Sequence, residues 1–161
     1  MASRLPVYIP IGEYLPERQI SQMDLKKELI GEYTGSFAPS VGGTRLLVRN
    51  RTRIFQSEKG HLSYVITEHT TDRQRSLTRR ETYVGLVTAD GAPHESGECR
   101  LHLSPLDKPY RGGSTLRCDF LFSEAFSSYF LVFDYREGPE RIQFRLKKAS
   151  QDGSGRRRRR T

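Results

Sequence analysis

From residue 31 to residue 149 the apolar side chains recur at every second position, and this period constrains the chain more than any other feature. Residues 44–56 set Leu46, Val48, Asn50, Thr52 and Ile54 against Arg45, Arg49, Arg51 and Arg53. The pattern repeats as Leu62, Tyr64 and Ile66, then Thr82, Val84 and Leu86, then Cys99, Leu101 and Leu103. It continues as Leu116, Cys118, Phe120 and Phe122, then Tyr129, Leu131, Phe133 and Tyr135, and finally Ile142, Phe144 and Leu146. A period of two with one wet face is the signature of antiparallel strands. Glu58-Lys59-Gly60, Asp90-Gly91, Arg111-Gly112-Gly113 and Glu137-Gly138-Pro139 separate the runs with turn residues. With residues 31–37 included, about eight consecutive strands with short links are expected, and eight can close on themselves and remove their edges. The predicted class is all-β: an antiparallel up-and-down barrel with one short N-terminal helix. A two-sheet β-sandwich or jelly roll is the alternative, because it produces the same alternation.

Three segments follow. Residues 1–15 carry Pro6, Pro10 and Gly12 among Val7, Tyr8, Ile9, Ile11 and Tyr14, and read as an extended segment laid on the body. Residues 16–149 form the helix-plus-barrel domain. Its helix is expected over 16–30, with Pro16 at the first position and Gly31 as its stop; Ile20, Met23, Lys27 and Ile30 share a face, beside Leu25 and Leu29. Residues 150–161 read as a disordered tail of Gly, Ser and five consecutive arginines. Those five dominate the charge: 27 basic groups less these five leaves 22 against 19 acids, so the body is only mildly basic.

Composition excludes several classes. No apolar run approaches the roughly 20 residues of a membrane helix. Met1 to Pro10 lacks the basic start and apolar stretch of a secretory signal. Two cysteines, Cys99 and Cys118, cannot frame a disulfide scaffold. The expected setting is cytoplasmic, or nuclear in a eukaryotic or viral context. Asn50-Arg51-Thr52 matches a glycosylation sequon, but Asn50 has inward parity.

Gly31-Glu32-Tyr33-Thr34-Gly35 opens the first strand directly after the short helix, and the last strand, around Arg141 to Lys147, is rich in arginine. In these residues the chain resembles the calycin superfamily of lipocalins and fatty-acid-binding proteins, whose first strand opens with Gly-x-Trp. The resemblance implies a closed barrel around a ligand. It also implies that Tyr33 stands for the Trp and that Arg141 or Arg145 packs on it as a cation–π partner. Other eight-stranded barrels, including those similar to allene oxide cyclase, fit the strand pattern equally well.

Three kinds of chemistry are candidates. The first is a ligand cavity. Asn50, Thr52, Glu68, Thr70, Thr82 and Thr88 share parity with apolar neighbours, and a solid core would bury them at a cost of about 1–3 kcal/mol for each unpartnered group. Tyr64, Glu68, Phe120, Phe122, Tyr129 and Phe133 are the expected lining. The competing reading sets the polar residues at strand ends in water. The second is phosphate binding by Arg156, Arg157, Arg158, Arg159 and Arg160, extended by the Arg45–Arg53 stripe or the cluster Arg73, Arg75, Arg79 and Arg80. An ordinary solvated face is the competing reading. The third is catalysis. His61, His69, His94 and His102 lack metal-ligand spacing, and neither cysteine lies in a Cys-x-x-Cys pair, so no metal or cofactor is expected. Glu68 or Tyr64 would serve as the acid of a barrel cyclase or isomerase.

The leading expectation is therefore a non-enzymatic carrier of a small apolar molecule. A nucleic-acid-binding or viral structural protein acting through the tail is the alternative, with self-association possible in either case. A small cyclase or isomerase is the third reading.

Overall fold

The structure, a computed structural model, describes residues 22–89, 99–111 and 115–150. A helix, α1 (Gln22–Leu29), leads into β1 (Gly31–Phe37), and the short β2 (Ser40–Val41) follows. Then come β3 (Thr44–Gln56), β4 (Leu62–Asp72), β5 (Leu77–Ala89) and β6 (Cys99–Pro105). The chain ends its sheet with β7 (Leu116–Ser123), β8 (Ser128–Glu137) and β9 (Glu140–Lys148). From β3 onward each strand pairs antiparallel with the next, and β1 pairs with both β9 and β3. These two pairings close an eight-stranded up-and-down barrel, which excludes the sandwich. β2 only extends β3 at the rim. Of the expected helix over 16–30, residues 22–29 are helical; residues 1–21, Pro16 among them, lie outside the described residues, as does the arginine run of 156–160.

Register explains which residues face inward, because directly paired residues share a face. Val48, Asn50, Thr52 and Ile54 of β3 are buried, and so are Leu62, Tyr64, Ile66 and Glu68 of β4. The expectation for β5 is corrected. Tyr64 pairs with Gly85 and Ile66 with Tyr83, so Tyr83, Gly85 and Val87 point inward. Thr82 and Thr88 are exposed, and Val84 and Leu86 lie on the outer wall. Both parities of residues 82–87 carry apolar side chains, so the alternation there is ambiguous until β4 supplies the register. Gly85 has a close-packing role: a Cβ there would overlap the Ser104 carbonyl oxygen and lie 2.5 Å from the Tyr64 hydroxyl.

α1 lies at the end of the barrel where β1, β4, β6 and β8 begin. Tyr33 is buried and its hydroxyl donates to the Leu29 carbonyl at 2.7 Å. The architecture is the one the calycin resemblance implies, but the implied arginine partner is not there. Ile142, Phe144 and Leu146 take the inward parity of β9, which turns Arg141 and Arg145 outward. Arg141 pairs with Asp134 at 2.6 Å, and Arg145 lies over the Phe130 ring. Lys148 of β9 instead reaches this end, donating to the Glu28 carbonyl and sitting 5.5 Å from the Tyr129 ring centre. Gly31 makes room for it. Its φ of 155° suits glycine, and a Cβ would lie 2.6 Å from the Lys148 side chain.

Candidate functional site

Six inward residues were expected to line one cavity; the barrel distributes them. At the α1 end, Phe120 stacks on Tyr129 with ring centres 4.9 Å apart, and Phe122 meets Tyr129 edge-on at 5.0 Å. Toward the other mouth, Phe133 stacks on Phe144 at 4.8 Å, and Phe144 on Phe37 at 3.9 Å. Tyr64 and Glu68 share the inward face of β4, and four residues of strand separate them by about 13 Å of rise.

Glu68 is the centre of a polar network. The residue is 1% exposed, in the interior of the barrel near the mouth opposite α1. The β3–β4 register pairs it with Asn50, whose Nδ2 donates to Oε2 at 2.9 Å. Thr52, two residues further on β3, donates its hydroxyl to Asn50 Oδ1 at 2.7 Å. The remaining partners come from the β6–β7 connection. Tyr110 donates its hydroxyl to Oε2, and Arg111 donates Nη2 to Oε1 at 2.9 Å and Nε to the same oxygen at 3.3 Å. Arg111 also donates Nη1 to the Tyr135 hydroxyl at 3.3 Å and lies over the Phe37 ring. Lys108, bonded to Glu81 at 2.8 Å and placed over Tyr83, holds the same connection to β5.

The electrostatics follow from this geometry. Burial, then the Glu68 charge, pushes the Tyr110 hydroxyl well above the usual phenol range. Burial works against the charge on Arg111, but Glu68 outweighs it and holds the guanidinium more firmly protonated than a solvated one. Tyr135 is pushed up to about 12, chiefly by burial, and Tyr83 to about 12 by burial and its bond to Glu81. A buried ion pair of this kind costs desolvation that its geometry must offset, so it is weak evidence for stability and stronger evidence for a set arrangement.

Tyr64 contrasts with this satisfied network. It is 1% exposed, and its hydroxyl is buried without a hydrogen-bond partner. Burial raises its pKa. Next to it on the inward face of β4 is Leu62, which with Leu29 and Val87 lines a groove of about 400 Å³ beside α1, with Lys26, Lys59 and His61 at its rim.

Tyr110 and Arg111 are absent from the sequence expectations, because a Pro-Tyr-Arg-Gly-Gly turn reads as a linker. The available signal was Glu68 itself: an inward carboxylate requires a cation, and strand parity leaves no basic residue opposite it. Among the described residues no group of three His, Cys, Asp or Glu is placed to hold a metal ion, and no helix is long and apolar enough to cross a membrane. No family model matches the chain, and no curated protein or solved structure does so either.

Proposed function

We propose that the barrel binds a small, largely apolar molecule carrying a hydrogen-bond acceptor, which takes the bond that Tyr64 leaves unmade. The buried Tyr64 hydroxyl carries this reading. A hydroxyl buried without a partner costs about 1–3 kcal/mol, so a ligand atom that accepts its proton recovers an interaction the hydroxyl otherwise lacks. The apolar groove beside α1 supports the reading, since its floor, Leu62 and Val87, adjoins Tyr64 and Gly85 along β4 and β5. The Glu68–Arg111 network then acts as a rigid plug of the opposite mouth rather than as the ligand's partner, because both carboxylate oxygens are already engaged.

Titration with the fluorescent apolar anion anilinonaphthalene sulfonate, in wild type and Tyr64→Phe, tests the reading. The expected result is binding that weakens about 3- to 10-fold in the variant, the equivalent of one hydrogen bond. Equal affinity in both, or binding only to unfolded protein, contradicts it.

A further inference from the structure

The outer wall over β1, β3, β4 and β5 carries a groove of about 530 Å³. The strand register builds its chemistry. Arg49 pairs with His69 and His69 with Arg80, so three basic side chains stand in one transverse row on neighbouring strands. Such cross-strand neighbours have Cβ atoms about 4.5–5.5 Å apart. The adjacent row sets Thr34 opposite Arg51 and Arg51 opposite Thr67. Thr34 also pairs with Lys147, which carries the row onto β9. Ser36, opposite Arg49, adds a further hydroxyl. The acid on this wall is Glu32, 3.6 Å from Arg51. Among the described residues no carboxylate pairs with Arg49 or Arg80.

Arg49 and Arg80 flank His69 from the two neighbouring strands, so one anion lying across the row meets both guanidinium groups. Guanidinium and hydroxyl groups side by side form the donor set that phosphate oxygens accept. The lining contains no apolar side chain large enough to enter a bilayer, and its residues come from four neighbouring strands, which suits a linear polyanion rather than a lipid surface. We propose that this groove binds the sugar–phosphate backbone of a nucleic acid, independently of the arginine run of 156–160. With no aromatic residue in the lining to stack bases, contact is to the backbone and independent of sequence.

Fluorescence anisotropy of a labelled single-stranded oligonucleotide, titrated with the full chain across salt concentrations, tests this. The variants are Arg49→Gln with Arg80→Gln, Arg49→Lys with Arg80→Lys, and replacement of Arg156–Arg160 by glutamine, alone and combined with the first pair. The glutamine pair is expected to weaken binding at least tenfold in both tail backgrounds. It should also flatten the salt slope by about 1.4, the change for two lost contacts to a single strand. The lysine pair keeps the slope, and thermal melting confirms that each variant folds. Unchanged affinity and slope in the glutamine pair overturns the proposal. So does wild-type binding to phosphatidylserine vesicles in place of the oligonucleotide.

Discussion

Arg111 donates two hydrogen bonds to a single oxygen of Glu68, Nη2 at 2.9 Å and Nε at 3.3 Å, across 43 residues of chain. The pair ties the β6–β7 connection to the inside of β4. Removing one partner strands a buried charge, at a cost of about 3–5 kcal/mol, whereas removing both with residues of similar volume costs far less. Arg111→Met and Glu68→Leu are each expected to destabilise strongly, and the double variant only mildly. Urea unfolding measures all three. Strictly additive losses would show that the pair is not coupled.

At Gly85 the interior is closed by contact with backbone. Gly85→Ala drives a methyl group into the Ser104 carbonyl oxygen as well as toward Tyr64. The expected cost is about 2 kcal/mol or more, as for other overpacked sites. Adding Tyr64→Phe does not recover it, because the Ser104 clash remains. A double variant as stable as wild type would place the constraint in the Tyr64 hydroxyl instead.

Five tyrosines, Tyr33, Tyr64, Tyr83, Tyr110 and Tyr135, have raised pKa values in the folded protein, each mainly through burial. A raised folded pKa means that the unfolded chain loses protons first. Stability is then intact below the ordinary phenol value of about 10 and falls as pH rises past it, by up to about 1.4 kcal/mol per pH unit for each tyrosine. Tyrosinate absorbance should therefore appear in two stages, the second coinciding with loss of the near-ultraviolet circular dichroism. Smooth titration of all tyrosines near pH 10, with the fold retained, would contradict this burial.

Lys148 joins the last strand to the end of α1 through the Glu28 carbonyl, and burial lowers its pKa. Lys148→Met keeps the apolar stem and removes the bond. Amide hydrogen exchange should speed up in residues 26–30 while β7 and β8 keep their protection. Uniform acceleration throughout the barrel would mean that Lys148 supports the whole sheet rather than the helix.

Much of this fold is legible in the sequence because each strand of a closed antiparallel barrel has one wet face. The alternations at 44–56 and 141–147, with Arg45, Arg49, Arg51, Arg53, Arg141 and Arg145 on the outward parity, state their orientation clearly. β5 misleads for a physical reason: Val84 and Leu86 sit on the outer wall, and the inward Gly85 has no side chain to mark its parity. The site is less legible than the fold. Asn50, Thr52 and Glu68 announce themselves as polar residues on an apolar face. Tyr110 and Arg111 reach Glu68 only through a loop, whose path is set by tertiary packing rather than by local pattern. The outward turn of Arg141 and Arg145 was implicit in their parity, and the cation reaching α1 is Lys148, just beyond that run.

The central claim is that the barrel is a container whose unsatisfied Tyr64 hydroxyl meets a ligand. Native mass spectrometry of the protein as purified, wild type beside Tyr64→Phe, tests it most directly. The account predicts a discrete added mass of a few hundred daltons on the wild type, surviving a high-salt wash and diminished in the variant. A bare chain mass in both, or an adduct that the salt wash removes equally from both, would contradict it.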